Sequence, residues 1–365
     1  MHDVIESITA VQAQAGPAFA QRIIEWQRQH GRHGLPWQHT DAYCVWLSEI
    51  MLQQTQVATV VPYYQRFIAH FPDIAALATA TQDQVLQQWS GLGYYSRARN
   101  LHRAAQIIME QHSGIFPQRY EDILALPGIG RSTAGAISAF VFKQRCAILD
   151  GNVKRVLARY CAIEGYPGQQ QIEAQLWRQA EALLPVHEVA TYTQGLMDLG
   201  ASICTRSKPR CLLCPLQSSC AAYQQGRIAD LPTPRARKTL PERHSNFVLL
   251  LKGTNVLLEK RPDSGIWGGL WCPPQLDVEQ DVAAYCVQQF NSAVEQTFEL
   301  PMFTHTFTHF KLHMSPVCVK LAGGLQVEQP GRAWFDVENA LQAAIPTPVR
   351  KIMLDLRERL CAAVT

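Results

Sequence analysis

The sequence predicts a mainly α-helical first two thirds joined to an α+β final third. Three observations carry this. Apolar residues recur with helical period up to about residue 184, short strand-like runs begin beyond residue 244, and a basic, proline-containing stretch lies between them. A chain of 365 residues exceeds one ordinary core and fits two or three domains. The boundaries read as a helical region 1–228, a basic linker 229–243 and a second region 244–365.

The helices come first. Val57, Val60, Val61, Tyr64, Phe67 and Ile68 fall at i, i+3, i+4, i+7, i+10 and i+11, one face of a helix that ends before Pro72. Similar stripes cover Ala18–Arg28, Gln82–Trp89, Arg97–Gln111, Thr133–Phe142, Val153–Cys161 and Ile172–Leu184. Turn residues separate them at Phe71-Pro72-Asp73, Gly91-Leu92-Gly93, Pro127 to Gly130 and Gly165 to Gly168. The linker is read from its three prolines and scarce apolar residues. Strands are expected over Asn246–Lys252 and Asn255–Lys260, about a Gly253 turn, and over His305–His313 and Pro316–Leu321. Helices are expected over Val278–Phe290 and Val349–Cys361.

With 47% hydrophobic and 17% charged residues, the composition is that of a soluble globular protein. No run of eighteen apolar residues occurs, and Met1-His2-Asp3 opens no basic-then-apolar leader, so a cytoplasmic protein of a prokaryote without membrane contact is expected. Net charge is only +3, but its distribution is uneven. Eight basic residues against two acidic ones put +6 between Cys204 and Arg243, leaving the rest of the chain at −3. Such a strip suits a phosphate backbone, as it would a solvated linker. Eleven cysteines, with Cys44, Cys146 and Cys161 inside apolar helical runs, speak for reduced thiols over a disulfide framework.

Four other cysteines cluster. Cys204, Cys211, Cys214 and Cys220 form C-x6-C-x2-C-x5-C on a short loop punctuated by Pro209 and Pro215. Four thiolates this close can wrap one metal centre, either zinc or an iron–sulfur cluster; a single C-x2-C knuckle with longer arms leans away from a zinc ribbon. At this quartet the chain resembles the endonuclease III superfamily of DNA glycosylases. The resemblance implies a [4Fe–4S] cluster and a loop, here carrying Arg206, Lys208 and Arg210, that meets DNA phosphates.

Leu124 to Ala134 matches a helix-hairpin-helix over about 120–142. Gly128 and Gly130 let the backbone turn tightly toward a phosphate at a helix N-terminus, a contact that positions DNA without reading bases; a plain interhelical turn would look alike. Asp150 follows Ser132 by eighteen residues. By itself an Asp at a helix start is a cap; the resemblance makes it the catalytic carboxylate. Superfamily members that nick the strand carry Lys at the position of Ser132. Lacking that amine, this chain is expected to remove a base without a Schiff base, with Lys143 and Lys154 the remaining amines.

Glu49 sits among large apolar residues in Trp46 to Gln56, where desolvation should raise its pKa and let it hold a proton, though a helix cap or ion pair fits the local sequence as well. W-L-S-E-I-M-L-Q-Q-T-Q, G-L-G-Y-Y-S-R-A-R-N at Gly91–Asn100 and L-D-G-N-V-K-R-V at Leu149–Val156 resemble the MutY-type adenine DNA glycosylases, over nearly the whole chain. The resemblance implies double-stranded DNA with adenine opposite 8-oxoguanine or guanine as substrate. Glu49 would protonate adenine N7, Asp150 would stabilise the oxocarbenium-like sugar, and Asn152 would orient both. Gln54 and Tyr94, with Thr55 and Leu92 beside them, would wedge into the stack from which adenine has been flipped; Tyr94 also reads as a core aromatic. A Tyr found at the Ser132 position in some members is absent here.

Asn246 to Pro274 resembles a Nudix-type domain. The acidic Arg-Glu-x-x-Glu-Glu helix of a working hydrolase is missing after Pro274, so the domain is expected to recognise. The family's F-S-H loop, which checks for 8-oxoguanine, reads Phe307-Thr308-His309 here. His305, His309 and His313 would face one side of a single strand, but a metal reading lacks a carboxylate nearby in sequence. The enzymatic rival is a bifunctional endonuclease III-like glycosylase and lyase acting on oxidised pyrimidines, and the rival outside catalysis a cluster protein that only binds DNA.

Overall fold

A computed structural model of the chain describes residues 18–38, 41–235, 239–322 and 330–362. The start of the chain and Arg237 and Lys238 of the basic stretch lie outside the described residues. In chain order the helices of the first two thirds are α1 (18–30), α2 (Ala42–Leu52), α3 (Val57–His70), α4 (Ile74–Thr79), α5 (Gln82–Trp89), α6 (Ser96–Gln111), α7 (Tyr120–Ala125), α8 (Arg131–Phe142), α9 (Gly151–Tyr160), α10 (Gln170–Ala182), α11 (Val189–Ser202) and α12 (Ala221–Gln224). They fall into two compact units that do not follow chain order: residues 76–103 group with the C-terminal third.

The first unit is a helical core. Phe19 and Ile23 of α1, Val153, Val156 and Leu157 of α9, and Tyr192, Leu196 and Leu199 of α11 form one buried cluster. α2 starts at Asp41, whose side chain accepts the Cys44 N–H at 2.8 Å. It buries Tyr43, Val45, Trp46, Leu47, Ile50 and Met51 around most of its circumference, so it has no polar stripe to reveal it as amphipathic. α11, buried in the same way, also escaped the periodicity. α8 packs through Gly135, where a Cβ would stand 2.3 Å from the Ala147 carbonyl oxygen.

The second unit is built on a sheet of β1 (Glu242–Lys252), β2 (Asn255–Lys260), β3 (Trp271–Cys272), β4 (Gln275–Asp277), β5 (Val294–Glu299), β6 (Phe303–Thr306), β7 (Lys311–Leu321) and β8 (Arg332–Asp336), with α13 (Val282–Phe290), α14 (Val337–Gln342) and α15 (Thr347–Ala362). The order is β3-β2-β1-β7-β5. β1 and β7 pair in parallel from Glu242↔Lys311 to Leu251↔Lys320. Phe247 to Leu250 are all buried, as a strand covered on both faces requires. The segment 76–103 joins this unit through side chains of α5 and α6: Lys260 pairs with Asp83 at 2.6 Å, Ser90 Oγ donates to the Ile345 carbonyl at 2.8 Å, and Arg99 Nη1 donates to the Gly268 carbonyl at 2.6 Å.

Four expectations change. The strand read over His305–His313 is a hairpin: β6 stops at Thr306, the Phe307 N–H bonds the Phe310 carbonyl at 2.9 Å, and β7 then runs through Pro316 without a break. The helix read from Val278 starts at Val282, where Asp281 caps it. The linker is shorter than 229–243, since Leu231 is 1% exposed against the cysteine loop and Glu242 opens β1. Cys146 lies in the irregular segment after α8, not in a helix.

Candidate active site and cysteine centre

A cavity of about 960 Å3 opens in the first unit, and both Glu49 and Asp150 line it, with Asn152, Arg155, Lys143 and Thr55. Two elements deliver the carboxylates. Glu49 projects from α2, the helix whose other faces are buried. Asp150 is the N-cap of α9: its Oδ1 accepts the Val153 N–H at 2.7 Å and its Oδ2 the Asn152 Nδ2 at 3.4 Å. Burial, followed by the charge of Asp150, pushes the Glu49 carboxyl up to about 8. Burial also raises Asp150, but the bonds from Val153 and Asn152 and the Arg155 charge pull the other way. Both carboxyls are raised on balance; Glu49 is held protonated at neutral pH, and Asp150 is the one whose bonds and neighbouring charge favour its anion.

Asn152 is held from both sides. Its Oδ1 accepts Arg155 Nη2 at 2.7 Å, and Gly200 of α11 comes so near that a Cβ there would meet the Asn152 Cβ at 2.6 Å. Arg155 also reaches the Gly200 and Cys204 carbonyls, each at 2.7 Å. Arg159, only 2% exposed, donates to the Leu231 and Thr205 carbonyls at 2.7 Å and lies 3.3 Å from the Cys204 sulfur. These two arginines, which sequence reasoning passed over, lie four residues apart on α9 right after Asp150; that helical spacing was the available signal.

The four cysteines are free of disulfides and face one another. Burial pushes the Cys214 thiol up to about 12, and neighbouring Cys204, Cys220 and Cys211 raise it further. Four thiolates packed this way need a cationic partner. Arg206 and Lys208 on the same loop are exposed, and Arg206 reaches the rim of the cavity.

At the hairpin, Gly128 has φ +80° and Gly130 caps α8. Ser132 turns inward: its hydroxyl accepts the Leu149 N–H at 3.0 Å and so fixes the residue before Asp150. Lys154 is paired with Glu173 at 2.7 Å. Gln54 is exposed between α2 and α3 with φ +57°, a left-handed conformation that strains a non-glycine residue. Gln53 ties this turn to the hairpin, donating to the Gly128 carbonyl at 3.3 Å.

A second cavity, of about 600 Å3, lies within the second unit between Tyr94, Arg99, Trp267 and the hairpin Phe307-Thr308-His309. Tyr94 is 46% exposed with φ +48°, whereas Leu92 beside it is 6% exposed. Phe307 stacks on Phe310 at 4.5 Å and meets Trp267 at 5.5 Å, leaving Thr308 and His309 exposed at the tip. His305, His309 and His313 occupy β6, the turn and β7, so they share no strand and the single-strand reading is overturned; the carboxylate that stands 3.0 Å from His313 Nε2 is that of Glu242, far away in sequence.

The family model described as "HhH-GPD superfamily base excision DNA repair protein" matches residues 47–182, and the "NUDIX domain" model matches 246–355. The chain is 38% identical to an adenine DNA glycosylase of Buchnera aphidicola subsp. Acyrthosiphon pisum, over 94% of this chain and 98% of the relative. It is 33% identical to the mouse adenine DNA glycosylase, over 92% of this chain and 77% of that one. Among solved structures, a thermostable thymine-DNA glycosylase superposes with a TM-score of 0.53 at 27% identity, covering 60% of this chain and 99% of its own.

Proposed function

The chain belongs to the adenine DNA glycosylase family, and from that premise we propose how its two carboxylates divide the removal of adenine opposite 8-oxoguanine or guanine in double-stranded DNA. The observation that carries the reading is one cavity lined by both Glu49 and Asp150, with the Glu49 carboxyl raised to about 8. Glu49 gives its proton to N7 of a flipped adenine; the C1′–N9 bond then breaks with its electrons going to the base. Asp150, ionised and held by Val153 and Asn152, faces the positive charge that grows on the sugar and takes the proton of the water that adds at C1′. With Ser132 where an amine would be needed, no covalent bond to the sugar forms, and the strand stays whole.

DNA is held by backbone and charge: the hairpin amides at Gly128 and Gly130, and Arg206 and Lys208 on the cysteine loop, meet phosphates. Gln54 and Tyr94, both exposed on left-handed turns, enter the opened stack, with Thr55 at the cavity rim. Phe307, Thr308 and His309 examine the base opposite. Cys204, Cys211, Cys214 and Cys220 hold a [4Fe–4S] cluster, which supplies folding energy and shapes the loop and adds no hydrolytic chemistry. The chain acts as a monomer in the cytoplasm; among the described residues no helix is long and apolar enough to cross a membrane.

The test is a glycosylase assay on duplexes that pair 8-oxoguanine with adenine or with cytosine, combined with iron analysis. Abasic product from the adenine pair alone, strand breaks only after alkali, and about four iron atoms per chain are expected. Cleavage without alkali, or excision of an oxidised pyrimidine, would refute the reading.

A further inference from the structure

Away from both cavities, Glu242 and His244 on β1 and His313 on β7 bring one carboxylate oxygen and two imidazole nitrogens within 4.8 Å of one another. We propose that this triad is a site for a divalent transition metal, zinc above all, which fastens the start of β1 to the start of β7. Register explains how the triad assembles. Glu242 and His244 are two residues apart and share a face of β1, and the parallel pairing sets His313 directly across from His244. The two rings lie flat against each other, centroids 4.3 Å apart and 15° from parallel.

His313 Nε2 and Glu242 Oε2 are 3.0 Å apart. Ligands about 2.0–2.1 Å from a tetrahedral zinc stand about 3.3 Å apart, so this pair is already near ligand spacing, and the stacked His244 ring must rotate to aim a nitrogen at the same ion. The other ring nitrogen, His313 Nδ1, lies 2.9 Å from the Thr304 hydroxyl of β6, the kind of outer partner that fixes the tautomer and plane of a metal-bound imidazole. Two imidazoles with one carboxylate suit zinc, nickel, cobalt or ferrous iron and suit magnesium or calcium poorly. A fourth position is left to water. Lys311 opposes the ion, because its Nζ sits 2.9 Å from Glu242 Oε1, but it leaves Oε2 available.

The site lies at the foot of the Phe307–Phe310 turn, three residues past Phe310 on β7 and, through Thr304, against β6. An ion held there ties together the three strands from which the turn projects. It is a structural clamp.

The experiment titrates the iron-loaded full chain with zinc and, separately, cobalt. One zinc per chain beyond the iron is expected, with a rise in Tm. His244→Asn and His313→Asn should each weaken it at least about tenfold, the least that loss of even an outer partner costs a metal site. Lys311→Met should bind more tightly than the wild type. Cobalt should give a visible spectrum without thiolate charge-transfer bands, which separates this triad from the cysteine quartet. Equal zinc in the wild type and a His244→Asn/His313→Asn variant of unchanged fold, or a cobalt spectrum dominated by thiolate bands, would overturn the proposal.

Discussion

Glu49 and Asp150 are both carboxylates of one cavity, yet their surroundings separate them. Among the described residues no hydrogen bond favours the Glu49 anion, whereas Asp150 is a helix cap with two donors. Glu49→Gln should lower adenine release about 10²–10⁴-fold in single-turnover assays, because the proton donor is gone. The wild-type rate should fall as pH rises through about 8 as Glu49 loses its proton, and the variant's residual rate should lack that limb. Stability carries the same signature. With Glu49 at about 8 in the folded chain against an ordinary 4.5, the folded state binds more protons across that window, so stability falls as pH rises through it. The Tm advantage of Glu49→Gln over the wild type should grow from pH 5 to pH 9, and a constant difference would remove the burial argument. Asp150→Asn keeps a capping side chain, so the fold and DNA binding should persist while turnover is lost. At this scale the sequence was informative where chemistry is encoded by residue type: the carboxylates and the cysteines could be named. Arg155, Arg159 and the inward turn of Ser132 were not named: helical spacing after Asp150 was the one sign of the arginines, and each group acts through backbone carbonyls or amides that only the fold brings near.

Elements read well when one face is polar. α5 falls on the expected residues because Val85, Leu86 and Trp89 are buried among polar positions; β2 does so although Val256, Leu257 and Leu258 are buried in a row, since the Gly253 turn marks where it starts. α2 and α11 were missed for the opposite reason, being apolar nearly all round, and β5 because it is a mostly exposed, polar strand paired, among the described residues, with β7 alone. The contact of α11 with α9 makes a prediction of its own. Gly200→Ala places a methyl 2.6 Å from the Asn152 Cβ and 3.1 Å from its backbone, so α9 must shift. Overpacking of this kind costs about 1–3 kcal/mol. Tm should drop accordingly, and adenine release should slow more than DNA affinity weakens, since Asn152 and Asp150 move with α9. An activity loss no larger than the loss of folded protein would show that the contact is only structural.

Over the whole molecule, two units interleave along the chain, which no local pattern announces. The sequence reading placed one boundary near residue 243, whereas residues 76–103 group with the sheet through polar contacts that span more than 150 residues of chain. A chain ending at residue 237 should therefore be less stable than a helical domain cut at a true boundary. It strands Lys260's partner Asp83, the Ser90 hydroxyl and Arg99, and it uncovers Leu86 where that side chain meets Gly269. Limited proteolysis should then cut between residues 82 and 99 in the truncated chain and spare that segment in the full one. The interleaving also has a consequence during biosynthesis. Ile345 follows Ser90 by 255 residues, so at about 5–20 residues per second the end of α5 leaves the ribosome roughly 10 to 50 s before the last of these partners exists. For that interval Asp83, Ser90 and Arg99 lack the groups they reach at Lys260, Ile345 and Gly268, and Leu86 lacks its cover at Gly269.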